Sequence, residues 1–359
     1  MKFGGMVATK IDDWQIFPYL ESLGYDSGWA PDSQMIWSDC YATLSLAAWH
    51  TSTIKLGTGV AIAGTRLAPV TAHSIASINR IAPGRTFLGI GTGHTAMRVM
   101  GQQPVSPTAF RSYLQTIRGL LDGEEVDYTL NGETRPIQFL DRGLGCVNLA
   151  DRVPIYVAAN GPRALEATGA YGDGRIGAGN EPTKVFSRNM ERIQKGAANV
   201  DRSLPDDFFT SVMTYACVLK PGETRSSDRV IEETGAEVIS TLHFWYELYL
   251  QRGSDAFVQD SVRGLWEDYK TYVETEMPLE RRHQMIHTGH CAFLPPAERR
   301  FVTPDLIEAS GGLVGEADDI IERIQTLEAA GLNQIVLLPP IAVARQNFKD
   351  FSEQVMARY

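Results

Sequence analysis

The stretch FLGIGTGHTAMR at 87–98 combines closely spaced glycines with a histidine that could do chemistry. Gly89, Gly91 and Gly93 end an apolar run, and small residues there let a ligand approach the backbone of a strand end. His94 follows, and an imidazole can donate or accept a proton near neutral pH. The alternative is a histidine turned toward the next helix as a satisfied polar group. The spacing does not match the dinucleotide fingerprint Gly-x-Gly-x-x-Gly, so we do not expect a Rossmann site.

A second stretch, AANGPRALEATG at 158–169, predicts an anion site at the start of a helix. Asn160 and Gly161 form a turn before Pro162, a residue type favoured at the first helical position. Free N–H groups at a helix start bind phosphate, and Arg163 stands in the same first turn. The alternative is an ordinary capped helix without a ligand.

The elements that must position these residues alternate between strand and helix. Eight apolar, strand-like runs are each followed by a helix-like run, and these strands are expected at 2–8, 26–30, 54–60, 86–90, 153–159, 173–177, 210–219 and 334–340. Such alternation predicts a parallel sheet covered by helices, and eight units favour a closed α/β barrel of the (β/α)8 TIM type. We expect one domain over 1–359, with a hairpin insertion at about 122–151 and a lid-like helical insertion at about 225–300.

Active sites of such barrels lie at the carboxyl ends of the strands. That rule selects a set of mostly small residues, namely Asp32, Ser33, Gly59, Val60, Ala61, Gly91, Thr92, Gly93, His94, Ala159, Asn160, Gly161, Gly177 and Asn180. Their size predicts room for a broad, flat ligand close to the backbone.

The lid-like insertion contains the histidine-rich stretch RRHQMIHTGHCAFLPP at 281–296. His283 and His287 are four residues apart and would share a helix face, as a metal site needs. The spacing fixes no acidic third ligand, so we predict no metal. We instead consider a loop that lines the substrate pocket, with His287 or His290 facing it, or a solvated loop. The aromatic residues of the insertion are expected to pack its own core, namely Trp245, Tyr246, Trp266 and Tyr269.

Composition excludes several functional classes. The formal net charge of −10 argues against a broad surface for nucleic acid or anionic membrane. The N-terminus has no apolar signal-peptide region, and no run reaches the ~18 apolar residues of a membrane span. The four cysteines are far apart in the sequence and form no CxxC motif, which favours free thiols and a cytoplasmic location.

Four segments carry a family resemblance. LGTGVAIAGTRLAPVTAHSIASINRIAPGRTFLGIGTG at 56–93 and PIYVAANGPRALEATGAYGDG at 154–174 resemble the luciferase-like flavin-dependent oxidoreductases. PDSQMIWSDCYATLSLAA at 31–48 and GLVGEADDIIERIQTLEAAGLNQIVLLP at 312–339 resemble a branch that is similar to methylenetetrahydromethanopterin reductase. The resemblance covers about three quarters of the chain and is weakest in the two insertions.

The resemblance implies a barrel that binds either FMN or the deazaflavin coenzyme F(420) (F420). It implies contacts to the cofactor from Thr92, Gly93 and the Ala159–Gly161 turn, and a non-proline cis peptide bond at Gly59–Val60. Family members commonly form homodimers, so a homodimer is expected.

Two departures from the family pattern bear on the reaction. Some deazaflavin enzymes of this family carry histidine after the aspartate of strand two, where this chain has Asp32 and Ser33. Some carry an acid after Gly-Thr-Gly, where this chain has His94. We therefore expect His94, Asp32, Ser33 and His290 as catalytic candidates.

Because the histidine at Ser33 is missing, we predict a monooxygenase that uses oxygen and reduced FMN, supplied by a separate flavin reductase, on a small organic substrate. The alternative is hydride transfer between F420 and the substrate. A second alternative is a non-catalytic flavin-binding protein.

Overall fold

The computed structural model describes residues 1–179 and 181–359. Its strands are β1 (Lys2–Met6), β2 (Ser27–Ala30), β3 (Lys55–Thr58), β4 (Ala61–Ile62), β5 (Thr86–Gly91), β6 (Val126–Leu130), β7 (Glu133–Ile137), β8 (Ile155–Ala158), β9 (Gly174–Ala178), β10 (Phe209–Thr214), β11 (Ala216–Val218), β12 (Leu313–Gly315) and β13 (Gln334–Leu337).

The α-helices are α1 (Ile16–Ser22), α2 (Cys40–His50), α3 (Ala68–Ile81), α4 (His94–Val99), α5 (Pro107–Leu121), α6 (Pro162–Tyr171), α7 (Thr183–Ala198), α8 (Asp228–Arg252), α9 (Arg263–Glu276), α10 (Arg282–Met285), α11 (Pro304–Ser310), α12 (Ala317–Ala329) and α13 (Ala344–Gln354). Short 3₁₀ turns lie at Ile11–Asp13, Arg142–Leu144, Asp260–Val262, Arg299–Phe301, Ile341–Val343 and Met356–Arg358.

Eight parallel strands close into a ring in the order β1, β2, β3, β5, β8, β9, β10, β13. The ring closes where β13 pairs with β1, with Gly4 opposite Val336. Although β4 lies between them in the sequence, β3 pairs directly with β5, with Leu56 opposite Thr86. The predicted (β/α)8 barrel is confirmed. The strand expected at 210–219 is divided in two, because β11 leaves the ring and pairs with β12.

Aromatic rings fill the barrel interior. The Trp29 and Phe87 ring centroids are 4.3 Å apart, and those of Phe87 and Tyr156 are 5.3 Å apart. Strand glycines make room for these rings: a Cβ on Gly57 would lie 2.3 Å from the Phe87 ring, and one on Gly174 would lie 2.8 Å from Tyr156. Gly89, which we attributed to ligand approach, serves the same packing, since its Cβ would lie 3.1 Å from the Trp29 ring.

The two insertions differ in how they pack. The antiparallel hairpin β6–β7 lies within 122–151, and most of its residues are exposed. The segment 225–300 forms a separate apolar cluster with α11 and β11. Trp266 and Tyr269 are fully buried there, and Trp245 and Tyr246 are at most 7% exposed. The prediction that these aromatic residues pack the insertion is confirmed.

All four cysteines are free thiols, as predicted. No helix in the described part of the chain is both long and apolar enough to cross a membrane.

Candidate functional site

Three of the predicted strand ends meet at the carboxyl end of the barrel. The peptide bond between Gly59 and Val60 is cis, as the resemblance implies. A Cβ on Gly91 would lie 3.1 Å from Val60 Cγ2 and 3.4 Å from Ala158 Cβ, so the ends of β3, β5 and β8 are in contact. Gly59 itself faces the core, since its Cβ would lie 2.7 Å from Met6 Sδ. Ala61 begins β4, which extends the end of β3 along β5.

His94 begins α4, a helix that we did not predict, directly after Gly93 at a left-handed φ of 78°. The residue as a whole is exposed, and its ring lies edge-on to Phe244 of α8, with centroids 5.7 Å apart. Protein atoms around the ring disfavour its charged form, and with nearby Arg98 they lower the pKa of His94 against the opposing effect of Glu247. A neutral imidazole at pH 7 is suited to accept a proton.

Asp32 is 4% exposed and pairs with a residue that we did not single out. One of its oxygens lies 2.5 Å from Arg66 Nη1, and the other accepts a hydrogen bond of 2.6 Å from the Gln34 amide. Burial raises the pKa of Asp32 although Arg66 opposes this. Asp32 is therefore an anchor for Arg66 as well as a catalytic candidate. Ser33 is half-buried, and its carbonyl accepts from the Trp37 N–H.

The start of α6 is open to solvent. Residues 160–163 are exposed, and the turn has no side-chain cap. A Cβ on Gly161 would meet nothing within 4 Å among the described residues. Buried Arg175 holds this turn in place. Its guanidinium donates hydrogen bonds to the Ala159 carbonyl (2.9 Å) and to Asn160 Oδ1 (3.2 Å). Asn180, the remaining predicted cofactor residue, lies outside the described residues.

Two polar atoms in the loop after β2 are buried without a hydrogen-bond partner within 1–179 and 181–359, namely Gln34 Oε1 and Trp37 Nε1. Buried polar atoms in proteins are nearly always satisfied. Trp37 packs against the same apolar cluster as Val60 and Ala158. Unsatisfied donors and acceptors at the same end of the barrel as an exposed helix N-terminus are what a polar, phosphate-bearing cofactor would complete, so the residues present fit such a group.

The lid-like insertion adds a carboxyl group that we missed. Burial raises the pKa of Glu237 on α8 to about 7, and the Cys291 thiol beside it opposes the rise. Its Oε1 is buried and has no partner among the described side chains. Cys291 belongs to the apolar cluster of Met6, Trp29 and Leu338 inside the barrel, which places Glu237 near the barrel mouth. A glutamate in a helical pattern gives no sequence signal, because such residues usually lie on a solvated face.

The histidine-rich stretch is arranged differently from our expectation. His283, the residue we paired with His287, lies exposed on α10. The partner of His287 and His290 is instead His243 of α8, and one ring nitrogen of each of these three lies within 4.8 Å of the others. His290 also stacks on Trp37, with ring centroids 5.5 Å apart. Its role as a catalytic residue stays a prediction.

A large depression of about 1210 Å³ lies at the opposite, amino-terminal end of the strands. Lys2, Asp173 and Arg202 are among the residues that line it. Because TIM-barrel active sites lie at the carboxyl ends of the strands, this depression is not the candidate reaction site.

The family model described as luciferase-like monooxygenase matches residues 14–334. A 5,10-methylenetetrahydromethanopterin reductase of Methanolobus tindarius is 38% identical over 55% of this chain and 58% of its own length. The same-named protein of Archaeoglobus fulgidus is 29% identical over 95% of this chain and 94% of its own. An F420-dependent glucose-6-phosphate dehydrogenase of Beutenbergia cavernae is 30% identical over 94% and 90%.

Among solved structures, the coenzyme F420 dependent tetrahydromethanopterin reductase from Methanopyrus kandleri superimposes with a TM-score of 0.68. The superposition covers 100% of this chain and 99% of that protein, at 21% sequence identity, which shows that the two share a fold.

These relatives overturn our prediction of an FMN-dependent monooxygenase. Proteins named as a reductase and as an F420-dependent dehydrogenase match nearly the whole chain. Our inference from the missing histidine at Ser33 was therefore wrong, since one absent side chain carries less information than similarity over both barrel and lid. The chain is an oxidoreductase, and it belongs to the luciferase-like monooxygenase family.

Proposed function

We propose that this protein transfers a hydride between coenzyme F420 and a small organic substrate. The observation that carries this proposal is the similarity, over 94% of the chain, to a dehydrogenase whose name states F420 dependence. The similarity to methylenetetrahydromethanopterin reductases supports the same chemistry, and we propose a reduced pterin with a one-carbon group as the first substrate to test.

The phosphate of the cofactor would bind at the start of α6, where the N–H groups of the first turn are exposed and Arg163 adds positive charge. Arg175 would hold the Asn160 side chain in place for this contact. Thr92, Gly93 and Val60 would contact the ring system, since they lie at the joined ends of β3 and β5.

When bound, the deazaflavin supplies the hydride chemistry. The residues of this chain would exclude water from the site and would donate or accept a proton. Helix α8 and the loop 286–298 would limit solvent access, since Cys291 of this loop packs with Met6 and Trp29 of the barrel and bonds to Ser240 of α8. The Glu237 carboxyl, with a pKa raised to about 7, can give or take a proton at neutral pH, and the neutral His94 ring can take one.

The first test is an anaerobic titration of the purified protein with F420 and, separately, with FMN, each in its oxidised and reduced forms. We expect saturable binding of F420 at micromolar concentration and much weaker binding of FMN. Tight binding of FMN alone would overturn the proposal.

A matched pair of variants tests the cofactor position. We expect Gly161→Val to weaken F420 binding by at least about tenfold, because a side chain there would block the approach to the α6 backbone. Gly264→Val is the control, since Gly264 on α9 is also exposed and its Cβ also meets nothing within 4 Å. Equal affinities of the two variants would mean that the phosphate binds elsewhere. The homodimer remains a prediction, which a sedimentation measurement on the same sample would test.

A further inference from the structure

Three histidine rings converge where α8 meets the loop after α10. His243 is 2% exposed, His287 is 4% exposed, and His290 is half-buried. The ring centroids of His243 and His287 are 6.3 Å apart, and those of His287 and His290 are 5.8 Å apart. Both ring pairs are nearly perpendicular, at 89° and 86°, so the rings do not stack, and one nitrogen of each of the three rings lies within 4.8 Å of the others.

Two carboxylates fix the orientation and tautomer of two of these rings. His287 Nε2 lies 2.9 Å from Glu247 Oε1, and His243 Nε2 lies 3.2 Å from Glu298 Oε2. A neutral imidazole that faces a carboxylate carries its proton on that nitrogen, because the nitrogen must donate. The other nitrogen, Nδ1, is then left with an unshared electron pair.

The Nδ1 atoms of His243, His287 and His290 are all buried, and none has a hydrogen-bond partner in the described ranges 1–179 and 181–359. Nδ1 of His243 and Nδ1 of His287 are therefore buried acceptors without a donor, which is unfavourable, and the buried Nδ1 of His290 also lacks a partner in the described ranges. Protonating the rings would not relieve this, because cations would then face each other.

We propose that His243, His287 and His290 bind one divalent transition-metal ion through their Nδ1 atoms. An ion supplies the missing electron acceptor to all three nitrogens at once. Around Zn²⁺, with Zn–N bonds of about 2.1 Å, ligand nitrogens lie about 3.4 Å apart, so the cluster closes with movements of about an ångström. Magnesium and calcium are excluded as preferred ions, because they take oxygen ligands.

The surroundings match those of known histidine–metal sites in two respects. Metal-bound histidines usually donate their second N–H to a carboxylate, as His243 and His287 are placed to do here. Glu298 and Glu247 would also place negative charge beside a divalent ion, although Arg98 already pairs with Glu247. Three histidines also leave one tetrahedral position for water or a substrate atom.

The site connects the lid to the barrel. Arg98 of α4 forms an ion pair with Glu247 at 2.5 Å, and α4 begins directly after the end of β5. On the other side, His290 stacks on Trp37 of the loop after β2. A bound ion would therefore hold the loop 286–298 against α8 and fix both over the barrel mouth. The proposal does not depend on which cofactor the barrel binds.

The test uses the whole 359-residue chain, stripped of metal with a chelator and dialysed against Zn²⁺ or Co²⁺. We expect one Zn²⁺ per chain by elemental analysis, a higher thermal midpoint with Zn²⁺ than without it, and the intense visible absorption of tetrahedral Co²⁺. A wild-type chain that retains far less than one equivalent and shows no such absorption would overturn the proposal, and this outcome needs no variant to fold.

Variants then locate the ion. We expect His290→Ala to lower Zn²⁺ affinity by more than about 100-fold, and Glu298→Gln by about 10- to 100-fold, as for other second-layer carboxylates. His283→Ala is the matched control, because His283 lies in the same segment but is exposed and outside the cluster. Equal loss of metal in His283→Ala and His290→Ala would overturn the assignment of the ligands.

Discussion

The barrel and the lid-like insertion arrange their buried ionisable side chains differently, since Asp32 and Arg175 of the barrel each pair with an oppositely charged side chain and the insertion brings three histidines together. The barrel interior is dominated by aromatic rings, such as Trp29, Phe87 and Tyr156, with glycines opposite them. The insertion has an apolar core of its own but also buries ionisable groups, namely His243, His287, Glu247 and Glu298. Burying such groups costs free energy unless they are paired, so they are retained where they have a task. This contrast fits our two proposals, in which the barrel holds the cofactor and the insertion adds a metal site.

The largest expected effect concerns the two cores themselves. Trp266→Ala in the lid and Phe87→Ala in the barrel should each lower the free energy of unfolding by about 3–5 kcal/mol, the usual cost of removing a buried aromatic side chain. Denaturant unfolding would measure both, with Trp49→Ala as control, since Trp49 is 73% exposed and should change stability by less than about 0.5 kcal/mol. If only Phe87→Ala were destabilising, the lid would have no stable core of its own.

A pH experiment sharpens the contrast in buried charge. Glu237 has an ordinary unfolded pKa of 4.5 and a folded pKa of about 7. Between these values the unfolded chain ionises first, so the group disfavours the folded state progressively as pH rises from about 4.5 to 7. Glu237→Gln should therefore gain stability relative to the wild type between pH 5 and pH 8, by up to about 3 kcal/mol. Urea unfolding of both proteins at pH 5 and at pH 8 measures this gain. If the difference in free energy of unfolding between variant and wild type did not change with pH, Glu237 would be exposed to water.

A kinetic experiment addresses the junction of the two regions, where His94 of α4 meets Phe244 of α8. His94→Ala should reduce kcat by about 100-fold while F420 affinity is retained, the usual scale for a general acid or base. His73→Ala is the control, because His73 is exposed on α3. Unchanged turnover in His94→Ala would remove this residue from the mechanism. Glu237 would then remain as the candidate proton donor or acceptor.

The smallest effect is expected in the other insertion. Thr129 and Thr134 face each other across the exposed hairpin, with hydroxyl oxygens 2.8 Å apart. Thr129→Ala should change the free energy of unfolding by less than about 0.5 kcal/mol and leave cofactor affinity unaltered. A clear loss of F420 binding would show that the hairpin, too, belongs to the functional part of the molecule.

Local sequence patterns were sufficient for most of the barrel. Apolar runs of five to ten residues predicted the ring strands, because a short apolar run is typical of a strand that is buried in a parallel sheet. The split between β10 and β11 was not predictable, since it depends on pairing between β11 and β12, about 100 residues apart in sequence. We did not predict α4, because this helix has only six residues after the glycine turn.

Sequence by itself determined the barrel class, the strand ends that meet at its mouth and the family, because these depend on local periodicity and on motifs within single segments. Only the tertiary structure decided which distant side chains became partners. Arg66 lies 34 residues from Asp32, and Glu298 lies 55 residues from His243. His243 joins His287 and His290 although it stands on a different helix. The physical reason is that such partnerships depend on how separate elements pack, and no local pattern encodes the distance between them.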